Sequence, residues 1–224
     1  MTKTKKLIRI DITSDTVCPW CFIGKKYLEK AMEQVKDKYD FQVRWHPFFL
    51  NPNAPKEGVP KLDFYKKKFG DARIAPILDR VSKVFADLGL KFSAGGKIGN
   101  TLDSHRLVEL AGRQGLDVQN KLVEELFINY FTQEKYIGDK KVLVAAAEKA
   151  GVKGAKEFLD DPNAGLKEVH DEIKAYARGV TGVPHFMING HYQLSGAQPP
   201  EQFIGAFDVA INQGEPEYDD FELP

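Results

Sequence analysis

Two cysteines, two tryptophans and three methionines are all that this chain of 224 residues carries of its rarest types. With only Cys18 and Cys21 available, the disulfide framework that staples small secreted domains is excluded. A structural zinc site lacks ligands too. There is no second cysteine pair, and His46, His105, His170, His185 and His191 show no three- or four-residue spacing. No metal is expected. Net charge is also missing: 32 Lys and Arg offset 32 Asp and Glu, which removes the electrostatic footprint of a nucleic-acid binder. Lys66-Lys67-Lys68 reads as a solvated helix face. No stretch approaches the roughly 18 apolar residues of a membrane span. The first residues show no apolar segment with a small-residue cleavage site, so no secretory leader and a soluble, cytoplasmic protein are expected. In a reducing compartment two cysteines are more often reactive than structural.

What is present is a good supply of core: 42% apolar and 11% aromatic residues, enough for one large domain or two small ones. Leu7 to Ile12 reads as a buried strand and Lys25 to Lys38 as a helix, with Tyr27, Leu28, Ala31, Met32 and Val35 on one face. Phe41 to Phe49 reads as a second strand, completing a βαβ unit. The Pro-rich stretch Asn51 to Pro60 marks a boundary. Helical patterns follow. Ile74, Ile77, Leu78, Val81, Val84, Phe85 and Leu88 share a face. Asn100 or Thr101, Asp117 and Asp139 stand where three further helices need N-caps. Ser93 to Asn100 reads as a flexible loop, and a last insert helix runs from Leu166 to Gly179. Pro184 to Ile188 and His191 to Leu194 flank Asn189-Gly190, a type I′ hairpin signature. Pro199 or Pro200 starts a final helix, and the tail from Gly214 holds five acidic residues.

The fold class expected is therefore α/β: βαβ, a large all-helical insertion, then ββα, with the two ends joined in one sheet and the insertion as a lid. The boundaries are 1–54 and 179–214 for the two halves, 55–178 for the insertion and 215–224 for the acidic tail.

The chemistry concentrates in Thr16-Val17-Cys18-Pro19-Trp20-Cys21-Phe22-Ile23-Gly24. A strand that delivers a Cys-x-x-Cys to the start of a helix is what thiol–disulfide exchange requires. Cys18 falls at the helix N-terminus, where free N–H groups and the helix dipole favour a thiolate, so Cys18 is the expected nucleophile. Cys21, one turn further in, is the expected resolving thiol. Pro19 suits the first helical position, and Trp20 reads as the more exposed of the pair between the cysteines. Thr181-Gly182-Val183-Pro184 opens a strand. It reads either as an ordinary proline at a strand start or as a cis Val183–Pro184 bond facing the thiols, with the Val183 backbone ready to pair with an extended substrate.

These residues resemble a known family. Ser14 to Gly24, Asn100-Thr101-Leu102-Asp103-Ser104-His105-Arg106-Leu107, Gly182-Val183-Pro184-His185-Phe186 and Ser195-Gly196-Ala197-Gln198-Pro199-Pro200 are similar, in the same order, to DsbA-like thioredoxin-fold oxidoreductases. The likeness is to the FrnE branch, related to 2-hydroxychromene-2-carboxylate isomerases. The resemblance implies a thioredoxin fold interrupted by a helical domain, a cis bond before Pro184 and dithiol oxidoreductase activity. It also implies a buried acid beside the second thiol, for which Asp11 is the candidate in the strand and Asp15 reads as a loop residue. His46 and His185 are candidates to stabilise a thiolate, and Asn100 and Arg106 to shape the groove.

Three functions are carried forward. The first is a dithiol oxidoreductase acting on a disulfide-containing protein or a small thiol or disulfide, with glutathione as a redox partner and no tightly bound cofactor. The second is a glutathione-dependent isomerase or transferase. Its branch carries serine at the position of Cys18, so the cysteine here argues against it. The third is a client-binding module whose thiols are incidental.

Overall fold

The strand β1 (Lys6–Ser14) lies inside the sheet, paired on both sides, and is buried from Ile12 to Ser14 while Lys6, Leu7 and Arg9 stay exposed. Ile8, Ile10 and Ile12 are fully buried on one side, and Thr13 and Ser14 are buried as well. The computed structural model describes residues 4–213. In it, β2 (Tyr39–Pro47) pairs parallel to β1 from Lys6↔Tyr39 to Ser14↔Pro47. On the other side β5 (His185–Ile188) pairs antiparallel to β1, and β6 (Tyr192–Ser195) antiparallel to β5. The sheet order is β2-β1-β5-β6. A parallel pair needs a crossover, and α1 (Pro19–Gln34) supplies it. It packs with α9 (Pro200–Asn212), which lies on β1, β5 and β6.

Between the parallel strands and the hairpin the chain is almost all helix: α2 (Lys61–Phe69), α3 (Asp71–Asp87), α4 (Leu102–Gln114), α5 (Leu116–Phe131), α6 (Lys140–Ala150), α7 (Ala155–Asp160) and α8 (Leu166–Tyr176). A small two-stranded ribbon of β3 (Val59–Pro60) and β4 (Lys97–Ile98) ties its entrance. This is a thioredoxin fold with a helical insertion.

Insertion and sheet share one hydrophobic core. Phe22, the residue after Cys21, stacks on Phe127 of α5 at 5.1 Å and meets Phe85 of α3 edge-on at 5.6 Å. Such aromatic pairs add roughly 0.5–1.5 kcal/mol beyond the area they bury. At Trp45 the outer edge of β2 is capped by one side chain. Gln119 of α5 accepts from the Trp45 amide at 2.9 Å and donates to the Trp45 carbonyl at 3.1 Å, replacing the missing strand.

Several local expectations need correction. Helix α1 runs Pro19–Gln34, not Lys25 to Lys38, because Pro19 starts it at the cysteines. Helices α2 and α7 carry too few turns for a periodic apolar face to stand out. Asp117 does not cap α5. Gly115 holds that position with φ 147°, and Asp117 sits in the first turn. Ser93 to Asn100 is not a free loop: β4 pairs within it, and Gly95 and Gly96 pack so tightly on Glu134 that a Cβ would fall within 2.7 Å of it. The hairpin turn at Asn189-Gly190 has both φ angles positive, at 48° and 72°, as a type I′ turn requires. His191 lies in the turn, since Ile188 pairs with Tyr192. The acidic tail lies outside the described residues.

Candidate active site

After Ser14 the chain makes one tight turn, with the Cys18 amide donating to the Asp15 carbonyl at 3.1 Å, and enters α1. Cys18 is the N-cap residue, in extended conformation, with Pro19 at the first helical position. Its sulfur therefore stands where the unpaired amides of a 16-residue helix gather. Opposite lies the segment before β5. The Val183–Pro184 peptide bond is cis, and the Cys18 Sγ donates to the Val183 carbonyl at 3.6 Å. The close approach of α1 to this segment depends on Gly24, where a Cβ would lie 3.1 Å from both Pro184 and Phe186.

Cys21 is fully buried. Burial pushes its thiol well above the ordinary range, and the hydrogen bond to Cys18 and the charge of Cys18 add to this. The Ser14 hydroxyl and the Asp15 backbone amide oppose it. The two sulfurs thus interact; both cysteines are buried, at 5% and 0% exposure, but they differ in what they border. Cys18 opens onto a cleft of about 480 Å³ and Cys21 does not. The cleft runs away from Cys18 between α2 and α3. Phe64, Phe69, Ile77 and Leu78 form its walls, Pro19, Trp20, Gly182 and Val183 its mouth, and Lys68 and Arg80 its cations. The Arg80 guanidinium lies 5.2 Å over the Trp20 ring. A cleft of this size and apolar character suits a small organic body or a peptide side chain. Among the described residues, no three His, Cys, Asp or Glu converge as a metal ion would need.

The family model described as a DSBA-like thioredoxin domain matches residues 9–208. The chain belongs to this family. Among curated proteins it is 28% identical over 209 residues to the uncharacterised protein YwbO of Bacillus subtilis (strain 168), covering 88% of this chain and 94% of that one. Among solved structures it is similar to a probable DsbA oxidoreductase, SCO1869, from Streptomyces coelicolor, with TM-score 0.83 and 31% identity over 94% of this chain and 93% of that one. It shares its fold with the cytosolic disulfide reductase DsbM of Pseudomonas aeruginosa solved with GSH. There the TM-score is 0.55 and the identity 17%, over 92% of this chain and 96% of that one.

Within the DSBA-like frame the remaining candidates separate. Asp11 does not attend Cys21. Its carboxylate bonds His46 Nε2 at 2.8 Å, while Glu172 takes His46 Nδ1 at 2.9 Å. Both imidazole nitrogens are thus occupied, and His46 joins the sheet to α8 without facing a thiol. His185 pairs with Gln193 at 3.3 Å across the hairpin. Asn100 accepts from the Leu102 amide at 2.9 Å and donates to the Ala54 carbonyl at 3.3 Å, so it starts α4 and fastens the loop before β3. Arg106 is buried and bonds Asp103 at 2.8 Å, the Ala164 carbonyl at 2.6 Å and the Phe158 and Asp161 carbonyls. Neither Asn100 nor Arg106 lines the cleft, although Gly99 and Thr101 on either side of Asn100 do.

The buried acid that lines the cleft with Cys18 is Asp15. It is 1% exposed, lines the cleft, and accepts from the Leu50 amide at 2.8 Å and from His105 Nε2 at 3.2 Å. That nitrogen also meets the Phe48 carbonyl at 3.0 Å, and two acceptors fix it as an N–H. A second link joins Thr16 to Ser104 at 2.8 Å, and the Ser104 hydroxyl donates to the Thr101 carbonyl at 2.7 Å. The N-terminus of α4 thus holds the turn that presents Cys18. Asp15 and His105 both stand in the motifs quoted above. Two phenols, Tyr65 and Tyr130, give no such signal, because nothing in their local sequence points them at Cys18.

Proposed function

We propose that this protein is a dithiol–disulfide oxidoreductase in which Cys18 attacks and Cys21 resolves. The observation that carries this reading is the asymmetry of the pair: Cys18 at a helix N-terminus opening on the cleft, Cys21 buried behind it with its proton held. In the reductive direction the Cys18 thiolate attacks RS–SR′. A Cys18–SR bond forms, and R′S⁻ leaves with the electron pair. Cys21 passes its proton to R′S⁻ and attacks Cys18, releasing RS⁻ and leaving the Cys18–Cys21 disulfide. The oxidative direction reverses each step.

Val183 and Pro184 position the substrate. The Val183 carbonyl already faces the Cys18 sulfur, and an extended substrate segment can pair there as an added strand. Residues 55–178 act as the substrate-binding insertion, with Pro19 and Trp20 at the rim. A small thiol such as glutathione serves as redox partner, and the compartment is the cytoplasm. The neighbour solved with GSH supports the first of these, and the neighbour called cytosolic supports the second. No helix among the described residues is long and apolar enough to cross a membrane.

The test is direct. Cys18→Ser abolishes exchange with a model disulfide, and Cys21→Ser accumulates a mixed disulfide at Cys18 that mass spectrometry detects. A Cys18→Ser protein that exchanges at the wild-type rate overturns the reading.

A further inference from the structure

The Tyr130 hydroxyl is buried, yet it makes no well-formed hydrogen bond among the described residues. Such groups are rare, and each asks for a reason. Its surroundings are specific. Tyr130 belongs to α5 and is backed by Lys61, whose Nζ lies 3.6 Å from the ring centroid. Its hydroxyl interacts with the Tyr65 phenol on α2, and Tyr65 lines the cleft together with Cys18. One of the two phenols, Tyr65, therefore opens on the cleft that Cys18 lines, with Tyr130 buried behind it.

Burial raises both phenols above the ordinary tyrosine range. The two phenols also act on each other, and the interaction raises Tyr130 and lowers Tyr65. The Tyr65 side chain faces the cleft that Cys18 also lines. The charge of Cys18 reaches both phenols, so the pair and the sulfur share one electrostatic neighbourhood.

We propose that Tyr65 is a catalytic residue that donates a hydrogen bond to the sulfur expelled when Cys18 attacks a disulfide, with Tyr130 as the positioning residue behind it. The inference rests on the reading of Cys18 as nucleophile. In the exchange the Cys18–S bond forms, the substrate S–S bond breaks and the electron pair moves onto the departing sulfur. That charge develops in an apolar cleft, where a preplaced O–H donor stabilises it more than it would in water. The donor lends a hydrogen bond and keeps its proton. The departing thiolate takes its proton from Cys21.

The test uses two uncharged disulfides with different leaving groups. Bis(2-hydroxyethyl) disulfide releases a strongly basic alkyl thiolate, which needs the donor. 4,4′-Dithiodipyridine releases a stabilised aromatic thione, which does not. Tyr65→Phe is expected to slow the reduced protein's reaction with the alkyl disulfide by about tenfold, the scale of one hydrogen bond to a charged group. The rate with the aromatic disulfide stays within about twofold, because little charge remains for a donor to stabilise. Tyr130→Phe moves the alkyl rate in the same direction by less. The hydroxyl it removes is buried without a well-formed hydrogen bond, so the variant is expected to fold at least as stably as the wild type. If Tyr65→Phe slows both disulfides equally, Tyr65 is only part of the cleft wall and the proposal is overturned. It is equally overturned if neither rate changes. Cys18→Ser serves as the control. If it retains exchange, the functional reading itself falls. If it is inactive and the Tyr65→Phe effect ignores the leaving group, only this inference falls.

Discussion

The imidazole of His46 lies nearly parallel to the Tyr176 ring, with centroids 3.5 Å apart. Asp11 and Glu172 hold its two nitrogens, so one buried side chain joins β1, β2 and α8. Burial by itself would push the imidazole down, but hydrogen bonds and charge from the two carboxylates outweigh it and raise the pKa above the ordinary value. A histidine whose folded pKa is raised contributes its full stability below the unfolded value, and that stability is lost as pH rises through the folded value. His46→Gln is therefore expected to cost about 3 kcal/mol or more near pH 5.5, where the wild type holds a charged clasp between two acids. The gap between the two proteins should narrow by pH 9. Urea unfolding at the two pH values checks this, and a gap that widens with pH would contradict it.

The same cluster shows where the sequence becomes hard to read. A Cys-x-x-Cys between an Ile-rich strand and a helix is a local pattern, and so are the Asn189-Gly190 turn and the Asp139 cap, whose side chain accepts from the Lys141 amide at 2.8 Å. Each depends on neighbours a few residues away. His46 depends on Glu172, and Asp15 on His105, partners that only the folded insertion brings near. Alternation along β1 placed Asp11 and Asp15 on a strand and a loop, but it could not say which carboxylate would line the cleft. The outcome was decided by the docking of α4 and α8, which no local pattern encodes.

The two thiols are expected to label unequally. Burial and the neighbouring Cys18 hold Cys21 well above the ordinary thiol range, so it stays protonated at neutral pH, and it is fully buried as well. Since the thiolate is the reactive species, iodoacetamide at pH 7 should modify the folded, reduced protein once, at Cys18. Peptide mass spectrometry reads the site. Rapid double labelling of the native state would show that the asymmetry is not there.

Arg106 is expected to matter for folding and not for exchange. Its guanidinium meets Asp103 and three carbonyls of the α7–α8 region from a buried position, and it lies outside the cleft. Lysine keeps the charge but cannot reproduce the planar fork, so Arg106→Lys should cost about 3 kcal/mol or more. The folded fraction, assayed at low temperature, should exchange disulfides at the wild-type rate. A stable Arg106→Lys protein with impaired exchange would return Arg106 to the groove.

Lys61 is expected to show the opposite pH dependence to His46. It is buried at the start of α2, donates to the Tyr130 carbonyl at 2.5 Å and has no carboxylate in an ion pair with it among the described residues. Burial lowers its pKa to about 8, with Glu134 only partly opposing. The unfolded chain keeps its lysine near 10.5, so between these two values the unfolded state binds more protons than the folded one. The charged amine is therefore a penalty on the fold below about pH 8, relieved as pH rises toward 10.5. Lys61→Met removes this titration and leaves one helix carbonyl unpaired, a fixed cost of about 1 kcal/mol that does not vary with pH. Whatever the sign of the difference at pH 7, it must move in favour of the wild type between pH 7 and pH 10. Paired chemical denaturation curves measure that shift. A difference independent of pH would mean that Lys61 reaches solvent in the folded protein and holds an ordinary pKa.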